Sequence, residues 1–201
     1  MTVKASRYLT HVRRLREPAE PVARLLAAAV RLGDRLGPVL VQLPPTMQAD
    51  PAALSECLDQ FAAQFTALAA PEPRVLRVCV EFRHQLWLTP AVRQILVHHN
   101  AALCWSDRRG RPLGPLWRTA DWGYLRLHEG AAQPWPRYGR QALRTWLTRI
   151  SDSFPPEADV FAYFNNDQAG AAPADADALM DLAHRSGWPV QRPRSDSSPR
   201  A

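Results

Sequence analysis

Two short stretches hold the residues best suited to chemistry. In VCVEFRHQLW (residues 78–87), Val78, Val80 and Phe82 alternate with Cys79, Glu81 and Arg83, so a strand here has one oily face and one face ending in charge. In GYLRLHEG (residues 123–130), Leu125 and Leu127 oppose Tyr124, Arg126 and His128. A carboxylate at Glu81 can act as a base or metal ligand, with the Arg83 guanidinium beside it holding an anion. Arg126 fits phosphate or carboxylate recognition, and His128 fits acid–base work or metal ligation. Both pairs can equally be structural ion pairs that close the end of a sheet.

Other residues join them at strand ends. Asp107 closes AALCWS (residues 101–106) and can complete a carboxylate–histidine set, although aspartate is also an ordinary turn residue. Lys4 is the only lysine in the chain; unlike arginine it can shed its proton and serve as base or nucleophile, although a single instance can be accidental. His11 falls at the same rim or on the nearby surface, and His84 reads as a loop histidine. Gln42 offers a neutral hydrogen-bonding group, while Asn165 and Asn166 either orient a substrate or form a turn. Glu81, Asp107 and His128 together suit a divalent cation such as Mn, Mg or Zn, but no close-spaced ligand motif supports it. The cofactor is left open. The tryptophans near strand ends can stack on a sugar or base, or simply pack.

The chain of 201 residues suits one domain with a buried core. Its hydrophobic fraction is 46%, and no apolar run approaches the ~20 residues of a membrane helix. The first residues lack the layout of a signal peptide. Cys57, Cys79 and Cys104 are scattered and odd in number, which fits reduced thiols in a cytoplasmic protein rather than a disulfide framework. The net charge of +6 raises a nucleic-acid partner, but arginine dominates the basic residues and is spread along the sequence.

Six apolar strands alternate with helices. The strands are expected at residues 2–6, 39–43, near 78–83, 101–106, 124–128 and 159–164. Helices are expected at 18–36, 50–69, from Thr89-Pro90 to His99, 138–150 and 174–185, and residues 108–122 read as a loop. Such alternation calls for a parallel sheet covered by helices. No Gly-rich phosphate loop follows any strand, and the polar strand faces need an interior that opens at the strand C-termini. The α/β class is therefore best met by a TIM-type (β/α) barrel. Residues 1–190 form this domain, and 191–201 are expected to be a disordered tail.

Five ordered motifs carry a resemblance: KASRYLTH at Lys4–His11, LVQLPP at Leu40–Pro45, EFRHQLW at Glu81–Trp87, YLRLHEG at Tyr124–Gly130 and YFNND at Tyr163–Asp167. Together they resemble the YecE-like family, domain of unknown function 72, over Lys4 to about Ala183. The resemblance implies a TIM-type barrel. It also implies two further strand–helix units ahead of Thr2, so the chain is expected to form about six units of an eight-unit barrel, with a truncated remnant as one outcome. Glu129 departs from the pattern, because glycine follows His128 only at Gly130. The expected function is an enzyme, a hydrolase among the classes open to it and its reaction left undecided, that binds an anionic small or nucleotide-like substrate at the rim; a non-functional remnant is one alternative. The catalytic set is then Glu81, His128, Asp107 and Lys4, and the substrate-binding set Arg83, Arg126, Gln42, His11, Asn165 and Asn166. The other alternative is non-catalytic binding of nucleic acid or a partner protein.

Overall fold

Apolar runs of alternating direction become parallel strands, and three-four spaced apolar residues become the helices that cover them. The structure, a computed structural model, describes residues 1–69 and 75–191; the expected tail beyond Gln191 lies outside the described residues. The strands are β1 (Val3–Lys4), β2 (Val39–Gln42), β3 (Val78–Glu81), β4 (Ala102–Arg108), β5 (Arg111–Pro112), β6 (Gly123–Leu127) and β7 (Val160–Phe164). The helices are α1 (Ala19–Ala29), α2 (Pro51–Ala69), α3 (Pro90–His98), α4 (Gly139–Ser153) and α5 (Ala171–Arg185). Six strands run parallel in the order β1-β2-β3-β4-β6-β7, and β5 pairs antiparallel to β4. They curve into a half-barrel with helices outside, an α/β architecture consistent with an incomplete TIM-type barrel.

The two faces of the sheet bury different chemistry. Outward-facing Val39, Val41, Val80, Leu125 and Leu127 pack with Leu26, Phe61, Leu96, Trp146 and other helix residues in one continuous core. Inward-facing Leu40, Cys79, Ala102, Cys104 and Tyr124 form a second, smaller cluster. Burial of each large outward side chain contributes roughly 1.5–3 kcal/mol. The inner face has less apolar area and is finished by polar groups at the strand ends. Across the open side of the half-barrel, the Thr2 and Tyr163 hydroxyls hydrogen-bond to each other.

Helix starts follow their caps. Asp50 Oδ1 accepts from the Ala53 amide at 3.1 Å ahead of α2, and Thr89 Oγ1 accepts from the Val92 amide at 3.3 Å ahead of Pro90. Most boundaries shift by one to three residues from the sequence reading, and three differences are larger or have a local cause. The α-helical turns after Pro18 end at Ala29 and tighten into a 3₁₀ segment, Val30–Arg35, because Gly33 leaves helical space (φ 53°, ψ −132°). The last helix begins at Ala171, three residues early; Pro173 is tolerated in its first turn, where no amide is needed. The expected loop after β4 contains a hairpin through Arg109 and Gly110.

One irregularity opens the sheet. β2 pairs with β3 at four positions and β6 with β7 at five, whereas β3 meets β4 only at Cys79↔Ala102 and Val80↔Leu103. Beyond these residues the C-terminal ends of β3 and β4 part.

Candidate functional site

Register brings the charged strand ends together. Gln42 lies directly beside Glu81 on neighbouring strands, and parallel strands put their C-termini at one end. Lys4 Nζ donates to Gln42 Oε1 at 2.7 Å, and Gln42 Nε2 donates to Glu81 Oε2 at 2.8 Å. Arg126 Nη1 reaches the same carboxylate oxygen at 2.6 Å, and Arg83 Nε reaches Oε1 at 2.9 Å. Glu81 therefore accepts three hydrogen bonds from two guanidinium groups and an amide. Burial pushes its carboxyl up, but Arg126, Arg83 and Gln42 together outweigh burial and hold it below the usual carboxylate range. The group is a fixed anion.

The cations around it are not matched in number. Burial and the charges of Arg126, Arg83 and Arg7 pull Lys4 below its ordinary value, with only Glu81 opposing. His11 is lowered by burial, then by Arg7, Lys4 and Arg83, and its Nδ1 sits 2.8 Å from the Thr10 hydroxyl. His128 is lowered by burial and by Arg126. Three cations, Lys4, Arg83 and Arg126, thus gather around one carboxylate, and Arg7 adds its charge beside Lys4 and His11. The side chains of Glu81 and Arg126 are 3% and 16% exposed, but that of Arg83 is 43% exposed. Its two Nη groups make no hydrogen bond among the described residues.

Of these groups Glu81, Arg83 and His128 border a cleft of about 610 Å³ in the split between β3 and β4, while Lys4, Gln42 and Arg126 stand behind Glu81. Glu81, Arg83, His84, Asp107, Arg108, His128 and Glu129 form its polar wall; Phe82, Leu88, Leu103, Trp105, Leu113 and Leu116 form its apolar wall. Phe82 stacks on buried Trp87, with ring centroids 5.0 Å apart and planes 9° from parallel. Trp87 is fixed in turn by its indole, which donates to the Met47 carbonyl at 3.0 Å. His84 Nδ1 accepts from the Leu86 amide at 3.2 Å and so shapes the rim.

Asp107 lines the cleft but is committed elsewhere. Tyr138 donates its hydroxyl to the carboxylate at 2.7–2.8 Å, the His128 backbone amide donates at 2.7 Å, and the Gly110 amide donates at 3.1 Å. Asp107 therefore meets His128 through its main chain and not its imidazole. Burial pushes the Asp107 carboxyl up to about 6 despite these donors. The carboxylate ties the hairpin, the end of β6 and the start of α4 into one unit. Gly130 completes the turn after His128. A Cβ there would lie 1.9 Å from the Arg137 carbonyl oxygen, so no other residue fits.

The two asparagines part company. Asn165 is exposed at the end of β7. Asn166 is buried, and its amide donates to Asp175 Oδ2 at 2.8 Å and to the Pro136 carbonyl at 3.1 Å. Asp175 also accepts from Arg137 and the Tyr138 amide. The Asn166 side chain thus secures the loop before α4 to α5 and is not free to orient a substrate. The metal set that the sequence leaves open does not converge either. Both Asp107 oxygens face Tyr138, Glu81 is held by arginines, and no group of three His, Cys, Asp or Glu side chains among the described residues could hold an ion.

The sequence reading does not place Arg7 or Tyr138 at the site, and it singles out Glu129 only as a departure from the family pattern. Arg7 precedes His11 by four residues, and a helical reading of RYLTH would have brought it to the rim; the segment Tyr8–Val12 is a single π-helical turn. Tyr138 was noted only as a helix start, and nothing local pairs it with Asp107.

The family model described as "Protein of unknown function DUF72" matches residues 1–199. The chain belongs to the DUF72 family. Two crystal structures of DUF72 proteins share the fold. One, from Thermotoga maritima MSB8, has a TM-score of 0.65 and 22% identity, with 92% of this chain and 73% of that chain covered. The other, from Enterococcus faecalis V583, has a TM-score of 0.61 and 20% identity, with 82% and 68% covered. No curated protein matches. At these identities the two structures bear on the fold alone. No described helix is long and apolar enough to cross a membrane.

Proposed function

We propose that this DUF72 protein is an enzyme that binds an anionic, phosphorylated or nucleotide-like small substrate at the C-terminal mouth of its strands. The observation that carries the reading is the unmatched charge: Lys4, Arg83 and Arg126 gather around the single Glu81 carboxylate with Arg7 beside Lys4, and Arg83 faces the cleft with two unused donors. A bound phosphate or carboxylate would supply the missing negative charge.

In this reading Arg83 and Arg126 hold the anion, with Lys4 adding charge. Glu81 and Gln42 are positioning residues that aim the two guanidinium groups and the lysine. His128 has no side-chain hydrogen bond among the described residues, and its lowered pKa keeps the imidazole neutral near pH 7, in the state that accepts a proton. His128 then takes a proton from an attacking water as the water oxygen bonds to phosphorus and the ester P–O bond breaks. Arg83 holds the charge on the leaving oxygen, which leaves as the alcohol with the proton returned from His128. Asp107 positions His128 through its backbone amide. His11 and Asn165 stand at the rim as substrate-facing groups. The free, buried thiols of Cys57, Cys79 and Cys104 fit a reducing compartment, and we assign the enzyme to the cytoplasm.

The test is a hydrolysis screen over phosphomonoesters and phosphodiesters, with wild type, Arg83→Gln and His128→Asn. The reading expects activity in the wild type, a raised KM in Arg83→Gln and a loss of kcat of about 10²–10⁴ in His128→Asn. Activity in which both variants match the parent would refute it.

A further inference from the structure

Charge is distributed unevenly between the two ends of this molecule. The strand C-termini and the loops that follow them comprise residues 4–18, 42–50, 81–89, 106–117, 126–138 and 164–170. They carry eleven Lys and Arg against six Asp and Glu, while the rest of the described chain carries ten against eleven. Among the described residues the mouth therefore holds the whole positive excess. Five of its cations come from the end of β1 and the loop after it, three from the β4–β5 hairpin, and Arg83, Arg126 and Arg137 supply the rest.

This excess is far more than one phosphate requires. The ion pairs reduce it without removing it: Arg137 is matched by Asp175 from outside the mouth, and Arg83 and Arg126 share the single Glu81. Arg13 is paired with Glu17 at 2.5 Å and Arg16 touches Asp50 at 3.5 Å, while Arg108 and Arg109 share the single Glu129 at 3.8 and 3.6 Å. The Arg108 and Arg109 side chains remain 78% and 75% exposed. Geometrically the cations form two flanks around the Arg83–Arg126 centre. On one side Arg14 and Arg16 line a second hollow of about 450 Å³ beside the start of α2. On the other, Arg108 borders the cleft itself, and the hairpin continues the charge outward.

A row of cations either side of a cleft is the arrangement that follows a polyanionic backbone. The cleft adds a reason for preferring nucleic acid to other polyanions. Its volume is that of a site for one small ligand unit, too small for a paired duplex, and Phe82 on its rigid Trp87 support gives a flat ring at its apolar wall. An unpaired base can stack there while its phosphate lies towards Arg83. We infer that the ligand of the mouth is single-stranded nucleic acid, with one nucleotide in the β3–β4 cleft and the flanking phosphates on Arg14, Arg16 and the Arg108–Arg111 hairpin. This rests on the anion-site reading and extends it from a small phosphate to a phosphodiester strand.

Fluorescence anisotropy of the full chain with a labelled ten-nucleotide oligothymidylate, between 50 and 300 mM NaCl, tests it. Each phosphate contacted contributes a slope of about 0.7 in log Kd against log salt. The expected result is binding at least tenfold tighter than that of thymidine monophosphate. Replacing Arg108, Arg109 and Arg111 with alanine should then make the slope shallower by about 2, with an unchanged melting temperature confirming the fold. Phe82→Ala should weaken the oligonucleotide several-fold but leave inorganic phosphate unaffected. If the oligonucleotide binds no tighter than the mononucleotide, the strand proposal is overturned and the small-anion reading stands. If neither binds at low salt, both fall. If a heparin fragment of equal charge binds as tightly and Phe82→Ala changes nothing, the mouth is a general polyanion surface and the nucleic-acid assignment is wrong.

Discussion

Substituting Glu81 by glutamine removes one negative charge and changes almost no volume, yet the structure expects a large cost. The Glu81 side chain is 3% exposed and accepts from Arg126 at 2.6 Å, Arg83 at 2.9 Å and Gln42 at 2.8 Å. Removing one member of a buried ion pair typically costs about 3–5 kcal/mol, because the partner keeps its charge without compensation. Three features reduce that figure. Arg83 is partly solvated, so its share is small; glutamine retains one acceptor oxygen; and Arg126 keeps some access to water. The remaining cost is about 2–4 kcal/mol, mostly from Arg126. For a chain of this size that corresponds to a fall in Tm of about 5–15 °C. Urea denaturation of wild type, Glu81→Gln, Arg126→Gln and the double variant supplies the measurement. The double variant should be less damaged than the sum of the singles, with a coupling of about 1–3 kcal/mol. A Glu81→Gln protein within about 0.5 kcal/mol of the parent would refute the view of Glu81 as the fixed anion that holds the mouth together.

The remaining predictions concern the groups around it. Folding raises the Asp107 pKa to about 6 from an ordinary value of 3.8, so the folded chain binds this proton more tightly than the unfolded chain. Its contribution to stability is therefore greatest at low pH and is lost as pH rises from about 4 to about 6, by roughly 3 kcal/mol; subtracting the pH–stability curve of Asp107→Asn from that of wild type should isolate that slope. His128 shifts the other way, so any activity that uses it as a base should rise with pH through a value below 6.5, and a profile unchanged in His128→Asn would remove it from the reaction. Gly130→Ala drives a Cβ into the Arg137 carbonyl and should cost more than about 3 kcal/mol or abolish soluble expression. Arg83→Gln, by contrast, should lie within about 1 kcal/mol of wild-type stability in the same denaturation assay.

Much of the framework was legible because its signals are local. Period-two alternation put Cys79 and Glu81 on one face and Val78 and Val80 on the other, and the inner and outer clusters divide along that line. The caps at Asp50 and Thr89 were equally local. Parallel strands then carry Lys4, Gln42, Glu81 and Arg126 to one end, which is why residues up to 122 positions apart in sequence could be grouped. What could not be read depends on distant partners. Asp107 is decided by Tyr138, 31 residues away, and Asn166 by Asp175 on the next helix. The hairpin at Arg109–Gly110 was hidden for another reason. Both residues have positive φ, 51° and 73°, but Arg-Gly lacks the Asn-Gly or Asp-Gly signature of a two-residue turn. The parting of β3 and β4, which creates the cleft, leaves no mark in composition at all.

Calorimetric titration of inorganic phosphate into wild type and Arg83→Gln at low salt addresses the unmatched cations directly. A charge-assisted hydrogen bond contributes about 1.5–3 kcal/mol, so wild type should bind phosphate at least about tenfold more tightly than Arg83→Gln, with both proteins equally folded. No heat of binding in either protein, or equal affinity in both, would contradict an anion site at the mouth.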